Sequence, residues 1–394
     1  MTKENMKFSE TIQAPMEQIF ECFTNSASLR EWLCDEAEVS PVKGGRVYFW
    51  WRGGYSASGE FVRIKPNEKV QFSWNGRGEP GKTLVKVYFE LATDGATIVT
   101  LKHEGLGEGK AWRAMRRAVA FGWQTGLRNL KALLETGADL RIVERPALGI
   151  IDLAPVSAEE GAARTGLRLG ALVADMPLTL AGVQPDDVLT RLGGKRIRTF
   201  EDLQKAMTGK QIGDEVKATL YRADEKMRVT LTLKAFNYPQ VPPTPNELAQ
   251  ALNAMHTRHI ANLKATLKGI SDEQASYKPN EQTWSIKQTL AHLVTTERDL
   301  HGWLANAMQG NETEGNFASN LDSRLNALLL VYPTVRTLLT QLEKHLTETA
   351  ALAENLPDEL CRNKRRYWHI AFQLMNRKFH FNDHLEQLRT LIRQ

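Results

Sequence analysis

Three histidines in the C-terminal part of this 394-residue chain have the types and spacing that chemistry needs. His380 and His384, in Phe379-His380-Phe381-Asn382-Asp383-His384-Leu385, stand four apart, which puts both on one face of a helix, one turn apart. His292, in Leu290-Ala291-His292-Leu293 on an earlier helix, can complete a facial trio. Three neutral imidazoles bind a divalent ion and leave coordination positions open for water or substrate. Ligand softness puts zinc or nickel ahead of iron. Glu297 and Asp383 are candidates to orient the ligand imidazoles from behind.

The elements that must hold these residues are helical. Pro239, Pro242, Pro243 and Pro245 form a linker over 237–245, after which the pattern predicts helices over 247–268, 284–308, 325–354 (kinked near Pro333) and 367–393. The polar stretch 310–323 reads as a mobile loop. Four long helices with apolar faces make a bundle, a common place for a metal site. Other histidines carry less. His256 and His259, three apart on the first of these helices, read as a solvent-facing pair. His301 falls off the face of His292, and His103, His345 and His369 show no pattern. Pro279-Asn280, Trp284-Ser285, Leu290-Ala291-His292-Leu293 and His380 to Leu388 together resemble the DinB-like superfamily. That resemblance implies a divalent metal on His292, His380 and His384. It also implies thiol transfer or isomerisation in some members, and homodimers in many.

Residues 1–140 hold six of the nine tryptophans. They read as a strand over 8–13, helices over 15–25 and 29–33, strands over 46–51, 58–65, 69–74, 85–91 and 96–103, and a long amphipathic helix over 111–135. Met115, Val119, Trp123, Leu127, Leu130 and Leu134 recur along that helix at helical spacing. A curved sheet gripping a helix leaves a cavity, which Trp32, Trp50, Phe61, Trp74 and Trp123 are candidates to line for an apolar ligand. Thr11 to Pro15, Leu29 to Leu33, Gly44-Gly45, Gly59-Glu60-Phe61 and Gly122-Trp123 with Leu127, Asn129 and Leu130 resemble the SRPBCC superfamily. The branch is the one similar to the activator of the heat-shock protein 90 ATPase, whose helix-grip (START-like) fold binds apolar ligands or serves as a cochaperone module.

Residues 141–236 change to glycine, valine and short strands. Ala181 to Leu189, Gly193 to Ile197, a helix over 199–207 capped by Thr199, and Gly213 to Val216 before two alternating strands are similar to a PDZ domain of the HtrA-associated type. The resemblance implies capture of a partner's C-terminal carboxylate by the loop Leu148-Gly149-Ile150. It also implies a groove walled by Phe200, Leu203 and Met207, where a peptide adds as a strand.

The net charge of +5 is spread evenly, with 19 basic against 17 acidic residues over 1–140, 15 against 13 over 141–236 and 17 against 16 over 237–394. Only Arg362 to Arg366 clusters, so no nucleic-acid footprint is expected. No apolar run spans a membrane, and 1–10 shows no signal-peptide pattern. Cys22, Cys34 and Cys361 form no paired motif, and a reducing, cytoplasmic, bacterial setting is expected. The fold class expected is multi-domain α+β: a helix-grip domain (1–140), a PDZ β-barrel or sandwich (141–236) and an all-α four-helix bundle (246–394). The function expected is a binding and adaptor protein. The alternatives are a metal-dependent thiol transferase and, on the first segment alone, a cochaperone.

Overall fold

A computed structural model describes residues 4–156, 165–281, 283–309 and 319–393. The chain divides into two compact units, Met1–Asn237 and Tyr238–Gln394.

The first unit opens with β1 (Glu4–Ile12), α1 (Met16–Thr24), α2 (Ser26–Trp32), β2 (Glu36–Val39), β3 (Arg46–Trp50), β4 (Ser56–Lys65), β5 (Lys69–Gly76), β6 (Thr83–Leu91), β7 (Thr97–Leu106) and α3 (Lys110–Thr136). The strands form one antiparallel sheet in the order β1-β7-β6-β5-β4-β3-β2. β2 was not foreseen. It is a four-residue edge strand that turns Glu36 and Glu38 to solvent, Ala37 inward and Val39 partly so, too short an alternation to read from sequence. The sheet grips α3 as expected. Val119, Trp123, Leu127, Leu130 and Leu134 are buried along one stripe of the helix, and Met115 is partly buried beside them.

Asn129 ties the end of this layer together. Its Nδ2 donates to the Trp32 carbonyl at 3.0 Å, and its Oδ1 accepts from the Leu140 amide at 2.8 Å. That holds α4 (Leu140–Val143), whose Arg141 donates to the carbonyls of Arg30, Glu31 and Cys34 at the end of α2.

The elements that follow are β8 (Pro146–Ala147), β9 (Leu153–Val156), β10 (Gly166–Leu169), α5 (Pro177–Leu180), β11 (Val188–Leu192), β12 (Lys195–Arg196), α6 (Phe200–Met207), β13 (Glu215–Arg222), β14 (Glu225–Thr232) and β15 (Lys234–Ala235). The sheet order is β14-β13-β11-β10-β9, with β12 on β11, and β15 pairs β8 separately. Among the described residues this sheet is open, not a closed barrel, and β9 ends it with one side unpaired. Asp187 pins the interior: it is buried and accepts two bonds from Arg222, at 2.9 and 2.8 Å.

The second unit holds α7 (Pro245–Thr266), α8 (Ile286–Met308), α9 (Asp322–Val331), α10 (Val335–Glu354), α11 (Asp358–Arg362) and α12 (Lys364–Arg393). Thr244 caps α7 with Pro245 in its first turn, and Ser285 and Gln288 make a reciprocal capping box at the start of α8. The kinked helix expected over 325–354 is two helices. Pro333 disfavours a helical Tyr332, which sits at φ −124 and ψ 75, and Thr334 caps a new helix. Most of the polar stretch 310–323, read as a mobile loop, lies outside the described residues.

Replacing Asn129 by Ala would leave the Trp32 carbonyl and the Leu140 amide without their partner, so a loss of about 1–3 kcal/mol is expected. Urea midpoints of the two proteins measure it; an unchanged midpoint would mean that α4 is not anchored this way.

Candidate metal centre

α8 is buried along almost its whole first half, from Ile286 to Glu297, because it runs through the middle of the bundle. The Ser285 cap sets its start, and His292 follows two turns on, buried between Trp284 and α12. On α12, Phe381, Leu385 and Leu388 enter the same apolar cluster as Leu290, Leu293 and Val294. The histidines interleaved with these residues are carried into contact.

The three predicted ligands meet. His292 Nε2 lies 3.1 Å from His380 Nε2, and His384 Nε2 lies 3.2 Å from it. Two imidazoles bound about 2.1 Å from one ion at angles between octahedral and tetrahedral would have their nitrogens about 3.0–3.4 Å apart. The other ring nitrogens fix the tautomers. His292 Nδ1 donates to the Ser319 carbonyl at 3.1 Å, and His384 Nδ1 donates to Gln387 Oε1 at 2.8 Å. Both rings therefore turn an unprotonated Nε2 inward. His380 Nε2 can donate to one of them, but not to both. One lone pair is then left facing nitrogen in a buried site, and a cation resolves that conflict. The donor set fits a divalent ion on its own chemistry.

Burial pulls the pKa of all three rings below the ordinary histidine range. His292 falls to about 4 and His380 to about 3, and His384 falls as well, all chiefly by burial. Neutral imidazole is the form that binds metal.

Several expectations are corrected. His256 and His259 are not solvent-facing; each is 7% exposed, and His259 stacks on Phe381 with ring centroids 4.0 Å apart. Glu297 does not orient a ligand imidazole. Its Oε1 accepts from Arg377 at 3.0 Å and its Oε2 from Thr349 at 2.8 Å. The orienting groups are the Ser319 carbonyl and Gln387. Gln387 was visible in sequence as the residue three after His384, whereas a backbone carbonyl leaves no signal. His301, His345 and Glu348 also converge. There, however, Arg298 Nε donates to His345 Nε2 at 3.1 Å, so the neutral ring carries its proton on Nδ1 and cannot offer that nitrogen to a metal beside Glu348.

The other predicted site residues distribute unevenly. Of the groove residues, Leu148 and Leu203 are buried in the core of their sheet, Ile150 and Met207 are half-buried against it, and Phe200 is 55% exposed. Gly149 has φ +86, and a Cβ there would lie 2.2 Å from Met176 Cβ, so the position serves the fold itself. Of the aromatics, Trp32, Phe61, Trp74 and Trp123 share one core cluster. Trp50 does not join them: Phe49 pairs Ala57 on the buried face, and Trp50 pairs Ser56 on the other. Trp74 and Trp123 pack round His103, which shows no sequence pattern. Its Nδ1 accepts from Trp123 at 3.0 Å, and its Nε2 donates to Thr83 at 2.7 Å.

Three family models match. The "Activator of Hsp90 ATPase homolog 1-like protein" model covers residues 13–135, the PDZ domain model 153–233 and the DinB superfamily model 255–387. The chain is a fusion of three segments, each similar to one of these families. It is 33% identical over 89 residues to the serine protease Do-like HtrA of Lactococcus lactis subsp. cremoris, a match covering 20% of this chain and 22% of that protein. The homologue in subsp. lactis is 32% identical over 89 residues, with the same coverage. The chain thus spans about a fifth of the length of these relatives. Among solved structures, protein MLL2253 from Mesorhizobium loti is 20% identical, with 34% of this chain and 97% of that chain covered and a TM-score of 0.31. The Aha1 dimer from Colwellia psychrerythraea is 23% identical, with 34% and 96% covered and a TM-score of 0.30. TM-scores this low carry no argument, and the fold stands on its own strands and helices.

The lowered histidines make the DinB-like segment acid-sensitive. Unfolded imidazoles titrate near about 6.5, while His259, His292 and His380 in the fold titrate at about 4, about 4 and about 3. Between these values the unfolded chain holds more protons, so stability falls as pH drops from about 6.5 toward about 4. Melting curves over that range on metal-free protein are expected to show the fall, with a plateau above about pH 7. A flat profile would contradict the buried neutral rings.

Proposed function

We propose that this chain is a binding and adaptor protein whose DinB-like segment holds one divalent ion, zinc or nickel, on His292, His380 and His384. The observation that carries the reading is the convergence of three Nε2 atoms, two of which, on His292 and His384, are left unprotonated because Ser319 and Gln387 hold the ring protons on the outer nitrogens. The PDZ segment takes the C-terminal tail of a partner protein. Its support is the side of β9 that pairs with no strand among the described residues and offers backbone groups to an added one, with Ile150, Met207 and Phe200 left at least partly accessible. In the helix-grip segment, an apolar small molecule between the sheet and α3 completes the reading. A homodimer and a cytoplasmic setting fit it; no helix among the described residues is long and apolar enough to cross a membrane.

A second reading is metal-dependent thiol chemistry at the same site. It is favoured by the histidine group containing three side chains, which leaves an ion with open positions. A bound ion would supply Lewis acidity that makes a thiol or water more acidic. The chain's own part is to hold the neutral rings in place and to exclude water from them.

Metal content of protein purified without added metal tests the first reading. About one equivalent is expected, and it should be lost in His380→Ala and His384→Ala. Protein that neither carries zinc or nickel nor takes it up on titration would refute the site.

The groove is tested with a peptide library displaying free C-termini. A selected peptide is expected to bind at least tenfold more weakly when amidated, and Phe200→Ala should weaken it further. Gly149 is a poor target, since its replacement would disturb the fold. Equal binding of acid and amide forms would remove the PDZ reading.

A further inference from the structure

The bundle has two apolar clusters. One is built on Leu248, Leu252 and Met255 of α7 with Leu300 and Leu304 of α8, and the other on Ile260 and Leu263 of α7 with Leu290 and Leu293 of α8. Between them runs a polar layer. A void of about 10 Å3 there is lined by His256, His259, Glu297, Arg377 and His380 among others. That is the room of about one water.

Two polar atoms of its lining residues, His256 Nδ1 and Arg377 Nε, are buried with no partner. Such atoms are costly to leave unpaired, so each asks what satisfies it. Their characters are complementary. Arginine Nε always donates. His256 bonds the backbone of Leu346, and since Nδ1 is the unpartnered nitrogen, that bond is made by Nε2–H. The neutral ring therefore presents a lone pair at Nδ1. A single group that accepts one hydrogen bond and donates another satisfies both atoms. Glu297, bonded to Arg377 Nη2 at 3.0 Å, holds the guanidinium in place.

On the outer side, a groove of about 260 Å3 between α7 and α10 is lined by Asn253, Thr257, Lys264, Glu343 and Thr347, with His256 and Leu346 at its base. His256 and Leu346 line the void as well, so they stand between the two spaces. The groove is mixed in character: Ile260 and Ala261 also line it, and Lys264 is paired to Glu343 at 3.1 Å across it.

We propose that groove and void together bind a small polar molecule through one X–H group, a hydroxyl or a thiol, which accepts from Arg377 Nε and donates to His256 Nδ1. The body of the molecule rests in the α7–α10 groove, and its X–H end reaches past His256 and Leu346 to the side of His380 that lines the void. This site rests on the orphaned pair and the two spaces, and it needs no metal.

The test is nitrogen-15 NMR of the histidine rings in the full chain, with metal stripped by EDTA. The His256 signal is assigned by its loss in His256→Gln. Ethylene glycol, 1,2-ethanedithiol and 1,2-dimethoxyethane are titrated in turn; the last has no X–H group. Nδ1 is expected to report an unprotonated nitrogen that shifts saturably with at least one of the first two and not with the third. Which of the two acts separates hydroxyl from thiol. Leu346→Ala removes bulk from between the two spaces and is expected to lower the half-saturating concentration several-fold. His384→Ala removes a proposed metal ligand and is expected to leave the response intact, so failure of the metal reading would not be mistaken for failure of this one. A response equal to that of dimethoxyethane, no saturable response to any of the three (a void that holds water alone), or a protonated Nδ1 would each overturn the proposal.

Discussion

The C-terminal bundle depends on keeping imidazoles neutral inside an apolar core. A charged ring at His292 or His380 would be desolvated, with no salt bridge to a carboxylate among the described residues, while a neutral ring needs only one acceptor for its one proton. The bundle supplies that acceptor to His292 and His384 from the side away from the trio. The lone pairs are then turned toward one another, which is unfavourable unless something cationic joins them. Burial, tautomer and metal affinity are thus one constraint. It also explains why α8, which carries His292, is the helix buried most completely: its capped start and apolar flanks set where the ring can be.

The same logic of single polar pins in apolar surroundings recurs in the first unit, without the conflict. His103 is fully buried and fully satisfied, with Trp123 donating to one nitrogen and Thr83 accepting from the other. Asn129 and Asp187 are likewise buried with their partners in place. Satisfied groups of this kind hold layers together. The polar layer of the bundle differs because His256 Nδ1 and Arg377 Nε, on two residues that line one void, are left over as an acceptor and a donor, which a ligand with one X–H group would satisfy together.

Much of the fold was legible. Helical periodicity marked the buried stripe of α3, turn residues separated the strands, and the Thr199 cap stands where α6 begins. The failures have local causes. β2 is a four-residue edge strand, too short for its alternation to stand out. Pro333 ends one helix because Thr334 is ready to cap another, and a proline alone does not say whether a helix bends or stops. His256 and His259 were misread because their helix buries more than one face: α7 packs against both α10 and α12. Trp50 was grouped with aromatics from which the alternation of β3 separates it.

The sequence by itself determined which residues could be ligands. The spacing of His380 and His384 fixes their common face through helix geometry, a local property that needs no neighbours. What completes the site is not local. Ser319 reaches His292 across 27 positions, and His292 meets His380 across 88. Tautomer, convergence and the unpaired atoms behind His380 all depend on which groups the packing brings within about 3 Å. A hydrogen bond is decided at that range, and separation along the chain says nothing of it.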